Sequence, residues 1–478
     1  MSSEEIWRLT AQDLAKATTR GDITAEAATK ASIDRMREVN PALNAVVIDL
    51  SEQALEQARQ LDVDKANGKN IGPLHGLPVT IKINVDQAGC ATSNGLPALQ
   101  NEIAKVDAPV VMNLQNAGAI VIGRTNTPEF SFRADTDNPL HGRTHNPWGK
   151  HVSAGGSSGG AASAVMAGIG ALGHGNDIGG SLRFPASANG AVTVKPSLGR
   201  VPAWNPSQKA ERGMLAQSMS VQGLLARSAA DLELAIPSLV LADARDPFHV
   251  PLPYRIAPKS TNLCVGFCKE TPGFNTHPEV YKALDIAAGA LRDAGYEVQE
   301  IHLPFLQDTG EIAYRALMGE VVELMGPDIR ANGSDAIQAI FDEYYRQFQP
   351  FEGTELLQMM AKRTYFAREW SLLMQEYPLV LSPFLPQPFF APGRDEEGPA
   401  GVREVLGSAL WSYSINFIGL PAGNIPTRLS KLERGVQPIN VQIIGQRWRE
   451  DAIVDAMVSI EERVGTMAQH LWALMQED

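Results

Sequence analysis

Residues 77–83 read Leu77-Pro78-Val79-Thr80-Ile81-Lys82-Ile83, a short apolar and β-branched run with one lysine near its end. Residues 108–117 follow with helical spacing and stop at Gly118, and residues 119–123 are again strand-like. Short strands alternating with helices build a sheet covered on its faces, so this stretch predicts an α/β fold. Upstream, residues 5–62 read as a helical layer. There Thr10 with Asp13 has the pattern of a capping box, Thr24 opens a run with Ala27, Ala31 and Met36 on one face, and Ser51 opens another. Downstream, residues 155–180 are crowded with glycine and small residues, yet Val165, Met166 and Ile169 run through them. That mixture predicts tight turns and a closely packed helix, not a flexible linker. Further helices are expected at 231–242, 278–294 and, closing the chain, 451–464, with strands at 263–267 and 379–382. No clear linker divides the chain. One domain over 1–478 is expected, with the helical layer 5–62, a core at about 70–225 and a mostly helical inserted segment at about 305–375.

The 478 residues are 44% hydrophobic and 20% charged, ordinary values for a globular chain. The net charge of −13, with no basic run, argues against a nucleic-acid partner. Cys90, Cys264 and Cys268 are too few for a disulfide scaffold and suit a reducing compartment. The N-terminal residues carry acid where a secretory signal needs base, and the uncharged stretches 161–173 and 377–393 are too short or too broken by proline to span a bilayer. A cytoplasmic protein with no membrane segment is expected.

The densest chemical feature is Gly155-Gly156-Ser157-Ser158-Gly159-Gly160, followed by Ser181 in Gly179-Gly180-Ser181-Leu182-Arg183, 24 residues after Ser157. Attack on an acyl group needs backbone N–H groups aimed at a developing oxyanion, and glycines clear the approach. The amides of Ile178, Gly179, Gly180 and Ser181 could form such a nest. Other readings stand beside this one. A phosphate cradle lacks its Gly-x4-Gly-Lys signature. Gly155-Gly156-Ser157-Ser158-Gly159 fits the Gly-x-Ser-x-Gly elbow, but none of His174, His249, His277, His302 and His470 stands in a recognisable loop with a partner acid. Lys82 offers a different base, because a lysine at the end of a buried strand loses affinity for its proton.

Taken together, Gly76-Leu77-Pro78-Val79-Thr80-Ile81-Lys82, the run Gly123-Arg124-Thr125-Asn126-Thr127-Pro128-Glu129-Phe130, the glycine-serine cluster, Asp177 through Ala186, Lys195-Pro196, Gly419-Leu420-Pro421-Ala422 and Val441 through Gly445 resemble the amidase signature family. The resemblance implies a large mixed β-sheet sandwiched between helices. It implies Ser181 as nucleophile, Ser157 as a bridging serine on a cis peptide and Lys82 as base, with Ser158, Asp177 and Arg183 in support. It implies no metal or cofactor, and a small-molecule amide as substrate. Two departures stand out: Ile83 follows Lys82 where members often carry an acid, and His174-Gly175-Asn176 replaces a more usual Gly-Thr, as in cyclic-amide-cleaving members. His174 itself is read as a satisfied structural histidine.

The expected function is therefore cleavage of a carboxamide C–N bond through an acyl-Ser181 intermediate. An amidotransferase subunit making ammonia from glutamine shares the signature, but such subunits typically carry glutamine where Phe184 stands. A catalytically inactive binding protein on the same fold is the other alternative. Phe184, with Trp148 and Trp204, suggests an apolar or aryl pocket. Whether the amide is primary, anilide, cyclic or a hydrazide stays open, and a homodimer is only a general expectation.

Overall fold

The computed structural model describes residues 2–303 and 305–477; Met1, Pro304 and Asp478, which the expected single domain includes, lie outside them. The strands, in chain order, are β1 (Val46–Asp49), β2 (Pro78–Lys82), β3 (Ile120–Thr125), β4 (Leu172–Asp177), β5 (Val192–Lys195), β6 (Val221–Ala226), β7 (Cys264–Phe267), β8 (Glu297–Glu300), β9 (Leu379–Pro383), β10 (Ala422–Leu432) and β11 (Gly435–Gly445). Among the described residues they form one eleven-stranded sheet in the order β1-β3-β2-β4-β6-β5-β10-β11-β9-β7-β8. The sheet is mixed: β3, β2 and β4 are parallel neighbours, as are β9, β7 and β8, and antiparallel strands join the two blocks. The α/β expectation is met. β2 is buried along its whole length, which is why it reads as a continuous apolar run and not as an alternating one.

Helices cover the sheet. At the N-terminus lie the helices Ser3–Arg8, Ala11–Arg20, Ala25–Leu43 and Ser51–Ala66, and Ile33 and Met36 pack with Val46, Ile120 and Ile122 at the sheet edge. Thr24 caps its helix by accepting the Ala27 N–H at 3.0 Å. Thr10 caps likewise, but the Asp13 carboxylate takes the Thr10 hydroxyl proton at 2.9 Å instead of reaching back to the backbone. Ser51 lies inside its helix, not at the cap, with its N–H held by Asp49 Oδ1 at 2.7 Å. The helix expected to close the chain, Glu450–Val464, is followed by another, Met467–Glu477.

Between β8 and β9 the chain is helical, through Leu306–Leu324, Gly326–Asn332, Asp335–Gln347 and Gly353–Glu376. A π-helical turn, Arg403–Gly407, and the helix Leu410–Ile418 follow β9. No helix among the described residues is long and apolar enough to cross a membrane.

Candidate active site

Parallel pairing of Val79 with Leu172 and Thr80 with Gly173 sets the C-terminal ends of β2 and β4 side by side. Open α/β sheets bind ligands at such ends. Lys82, the last residue of β2, is fully buried there, and its Nζ lies 2.7 Å from Ser157 Oγ, 3.1 Å from Ser158 Oγ and 2.8 Å from Asn176 Oδ1. Burial pushes the Lys82 pKa well below the ordinary lysine value, opposed only in part by Asp177. Ser157 and Ser158 lead into the helix Gly159–Met166, and the peptide between Gly156 and Ser157 is cis. Gly156 has to be glycine, because a Cβ there would sit 2.3 Å from the Arg133 carbonyl oxygen. Thr127 Oγ1 donates to the Ser157 carbonyl at 2.9 Å, and the Ser158 N–H donates to the Ser181 carbonyl at 3.2 Å, tying the two serine loops together.

Ser181 is half-buried, in the turn between β4 and the helix Arg183–Asn189. Asp177 and Arg183 flank it as a buried bidentate pair, with Nε and Nη2 each donating at 3.1 Å. Burial would raise the Asp177 carboxyl, but the Arg183 guanidinium and the Leu182 amide hold it down at about 2. Asn416 Nδ2 donates to the same carboxylate at 2.9 Å. One expectation needs correcting here. The Gly180 N–H donates to Asp177 Oδ1 at 2.7 Å and is not free to meet an oxyanion. The amides of Ile178, Gly179 and Ser181 find no acceptor among the described residues, so the expected nest has three donors instead of four. Gly180 serves shape: its φ is +123°, and a Cβ would meet Ser412 Oγ at 2.4 Å.

Ser181 faces a narrow cleft walled by Phe132, Ile178, Phe184, Leu317, Leu406 and Tyr413. These side chains give the cleft a mainly apolar wall. Arg133, at the rim, is buried and held by Asp395 through Nε at 2.9 Å and Nη2 at 2.7 Å, which fastens the segment leading to Leu406. Of the aromatics expected to shape the pocket, only Phe184 does. Trp148 is buried elsewhere, its Nε1 donating to the Asn189 carbonyl at 2.8 Å, and Trp204 lies under the Arg245 guanidinium, 4.8 Å from its ring centroid. His174 is buried on β4 with Nε2 2.9 Å from Gln222 Oε1, and burial lowers its pKa to about 3. It is neutral at physiological pH, but the expectation of a satisfied histidine holds for one ring nitrogen only, because Nδ1 is buried without a hydrogen-bond partner among the described residues.

In keeping with Ile83 standing where an acid is often found, the neighbour that the structure places on the lysine is neutral: Asn176, backed by Asn84. Asn176 was visible in the sequence only as a departure from the motif. Phe132, Leu317, Leu406 and Tyr413 were not singled out in the sequence, where nothing local marks them as neighbours of Ser181.

The family model described as Amidase matches residues 27–454 of the chain. The chain belongs to the amidase signature family. This amidase is 43% identical over 472 residues to the indoleacetamide hydrolase of Bradyrhizobium diazoefficiens, covering 98% of this chain and 89% of that protein. It is 30% identical over 487 residues to one component of the glutamyl-tRNA(Gln) amidotransferase of Moorella thermoacetica, covering 96% and 97% of the two chains. Among solved structures, 6-aminohexanoate cyclic dimer hydrolase complexed with substrate superposes with a TM-score of 0.82 at 25% identity, over 96% of this chain and 98% of that one. The amidase thus sides with amide hydrolases, and the amidotransferase likeness is the more distant.

Proposed function

We propose that this amidase cleaves a small primary carboxamide with an aryl or apolar acyl part, an arylacetamide being the favoured class, through an acyl-Ser181 intermediate. The observation that carries the reading is the 2.7 Å contact between the buried Lys82 amine and Ser157 Oγ, directly behind the loop that presents Ser181. A lysine kept neutral by burial can take a proton from Ser157 while Ser157 takes the proton of Ser181. Ser181 Oγ then attacks the carbonyl carbon, and the amides of Ile178, Gly179 and Ser181 meet the oxyanion. The proton returns through Ser157 to the departing nitrogen, the C–N bond breaks and ammonia leaves. Water, deprotonated by the same route, attacks the acyl carbon and releases the acid and free Ser181.

The apolar wall of Phe132, Phe184, Leu317 and Tyr413 supports an aryl acyl group. So does the likeness to an indoleacetamide hydrolase. The unpaired state of Cys90, Cys264 and Cys268 fits the cytoplasm, which is part of the proposal, and a homodimer is the assembly that light scattering would read.

The test is ammonia release from indole-3-acetamide, hexanamide, glutamine and a cyclic diamide at matched concentrations. The arylacetamide should show the highest kcat/KM, with an acyl adduct on Ser181 in quenched intact-mass spectra. A preference for glutamine or the cyclic diamide would overturn the substrate assignment.

A further inference from the structure

Lys82 has three polar neighbours, and their geometry divides its hydrogen-bonding capacity. A neutral amine has two N–H donors and one lone pair. Asn176 Oδ1, at 2.8 Å, is an acceptor and takes one N–H; Ser158 Oγ, at 3.1 Å, can take the other. The lone pair is left for Ser157 Oγ at 2.7 Å, the direction that proton transfer requires.

Asn176 is held in turn. Its Nδ2 donates to Asn84 Oδ1 at 2.9 Å, and Asn84 Nδ2 donates back to Asn176 Oδ1 at 3.2 Å and to Ser131 Oγ at 2.9 Å. Ser131 has one proton and two acceptors for it, Asn94 Oδ1 at 2.6 Å and Thr127 Oγ1 at 2.9 Å, whose own proton goes to the Ser157 carbonyl, so toward Asn84 it accepts. That orders the pair: the Asn84 nitrogen faces Ser131, and Asn176 turns its oxygen to the lysine.

The charges around Lys82 add little that would favour an ammonium. From β4, Asp177 is tied up bidentately by Arg183, and His174 is neutral. From β3, Arg124 Nη2 donates to the Lys82 carbonyl at 3.2 Å and contributes positive charge. From the loop before the helix Gly159–Met166 come only the hydroxyls of Ser157 and Ser158. Ile83, next in the chain, is buried and apolar.

We propose that the Asn84–Asn176 amide pair is a positioning device for Lys82, an uncharged acceptor that aims the amine at Ser157 without holding its proton on. A carboxylate in the same place would aim the lysine equally well and favour its charged form. The inference rests on the hydrolase reading above and names what keeps that base competent in this chain.

The test is the pH dependence of kcat/KM on an aryl amide for wild type, Asn176→Asp and Asn84→Asp, alongside the labelling rate of Ser181 by a fluorophosphonate. For Asn176→Asp the rising limb should move to higher pH by about one unit or more, with the rate recovering on the alkaline side. Asn84→Asp should move it the same way by less, because its carboxylate reaches the lysine through Asn176. Limbs that superpose on wild type, or a loss independent of pH, would overturn the proposal. If circular dichroism shows Asn176→Asp unfolded, the half-buried Asn84 variant decides alone. Absence of Ser181 labelling in wild type would overturn the hydrolase reading and this inference with it, whereas normal labelling with unmoved limbs sinks only the amide pair.

Discussion

Lys82 Nζ and Ser157 Oγ meet at 2.7 Å across 75 residues of chain, both shut away from solvent. An amine in that position loses water and gains only neutral partners, so its free base is favoured. This contact and the groups that surround it have measurable consequences.

Replacing Ser181 with alanine should lower kcat by at least about 10⁴-fold and abolish fluorophosphonate labelling, since it deletes the covalent route. Ser181 is half-buried, so the melting temperature should stay within a few degrees of wild type. Turnover within tenfold of wild type would show that another group attacks the amide.

Ser157→Ala and Lys82→Ala should each cost about as much as the two together, because groups that form one proton path fail as a unit. The rising limb of the pH profile should vanish in Lys82→Ala. Its position in wild type should lie below the ordinary lysine pKa of about 10.4, since burial lowers the Lys82 value. A double variant much slower than either single one would argue for two independent contributions.

His174 predicts a stability effect with a definite sign. Its folded pKa is about 3 against about 6.5 unfolded, so between those values the unfolded chain binds the extra proton. Stability should therefore rise with pH from about 3 to about 6.5 and level off above. His174→Gln should flatten that acid limb while leaving the alkaline activity limb in place. Urea unfolding at pH 4.5 and 7.5, run on both proteins, checks the first half, and an activity profile checks the second.

Arg133→Met should destabilise the fold by about 3–5 kcal/mol, because it strands the fully buried Asp395 carboxylate. Adding Asp395→Leu should recover much of that loss. Both variants should change KM more than labelling by a small fluorophosphonate, since the pair fastens a wall of the cleft and does not touch Lys82. Equal stability of wild type and Arg133→Met in denaturant titration would refute the assignment.

How much of this was legible depended on where the partners lie. β2 could be read because a strand buried on both faces must be apolar throughout, and Lys82 stood out as the exception at its end. The contact of Lys82 with Ser157 was implied only by the family resemblance, since nothing local in the two motifs brings them together. Asn176 was noticed as a departure, but its contact with Lys82 arises across 94 residues, from the pairing of β2 with β4. The Gly180 loop could be recognised by its glycines, yet that Asp177 accepts from the Gly180 and Leu182 amides depends on how the turn is wound, which composition does not encode. Trp148 and Trp204 show the limit of residue type as a guide: an aromatic ring near a motif in sequence packs wherever its helix or loop faces, and both face away from the cleft.

The side chains that hydrogen-bond the Lys82 amine come from residues 157–176, whereas Leu317, Leu406 and Tyr413 reach the cleft from helical segments late in the chain. Part of the cleft wall is thus encoded more than a hundred residues away from the groups that hold the lysine, while Phe132, Ile178 and Phe184 are encoded among them. Tyr413 packs against Gly179 and is tied to the serine loop, so a saturation library confined to positions 317 and 406 is the place to evolve this scaffold toward new amides.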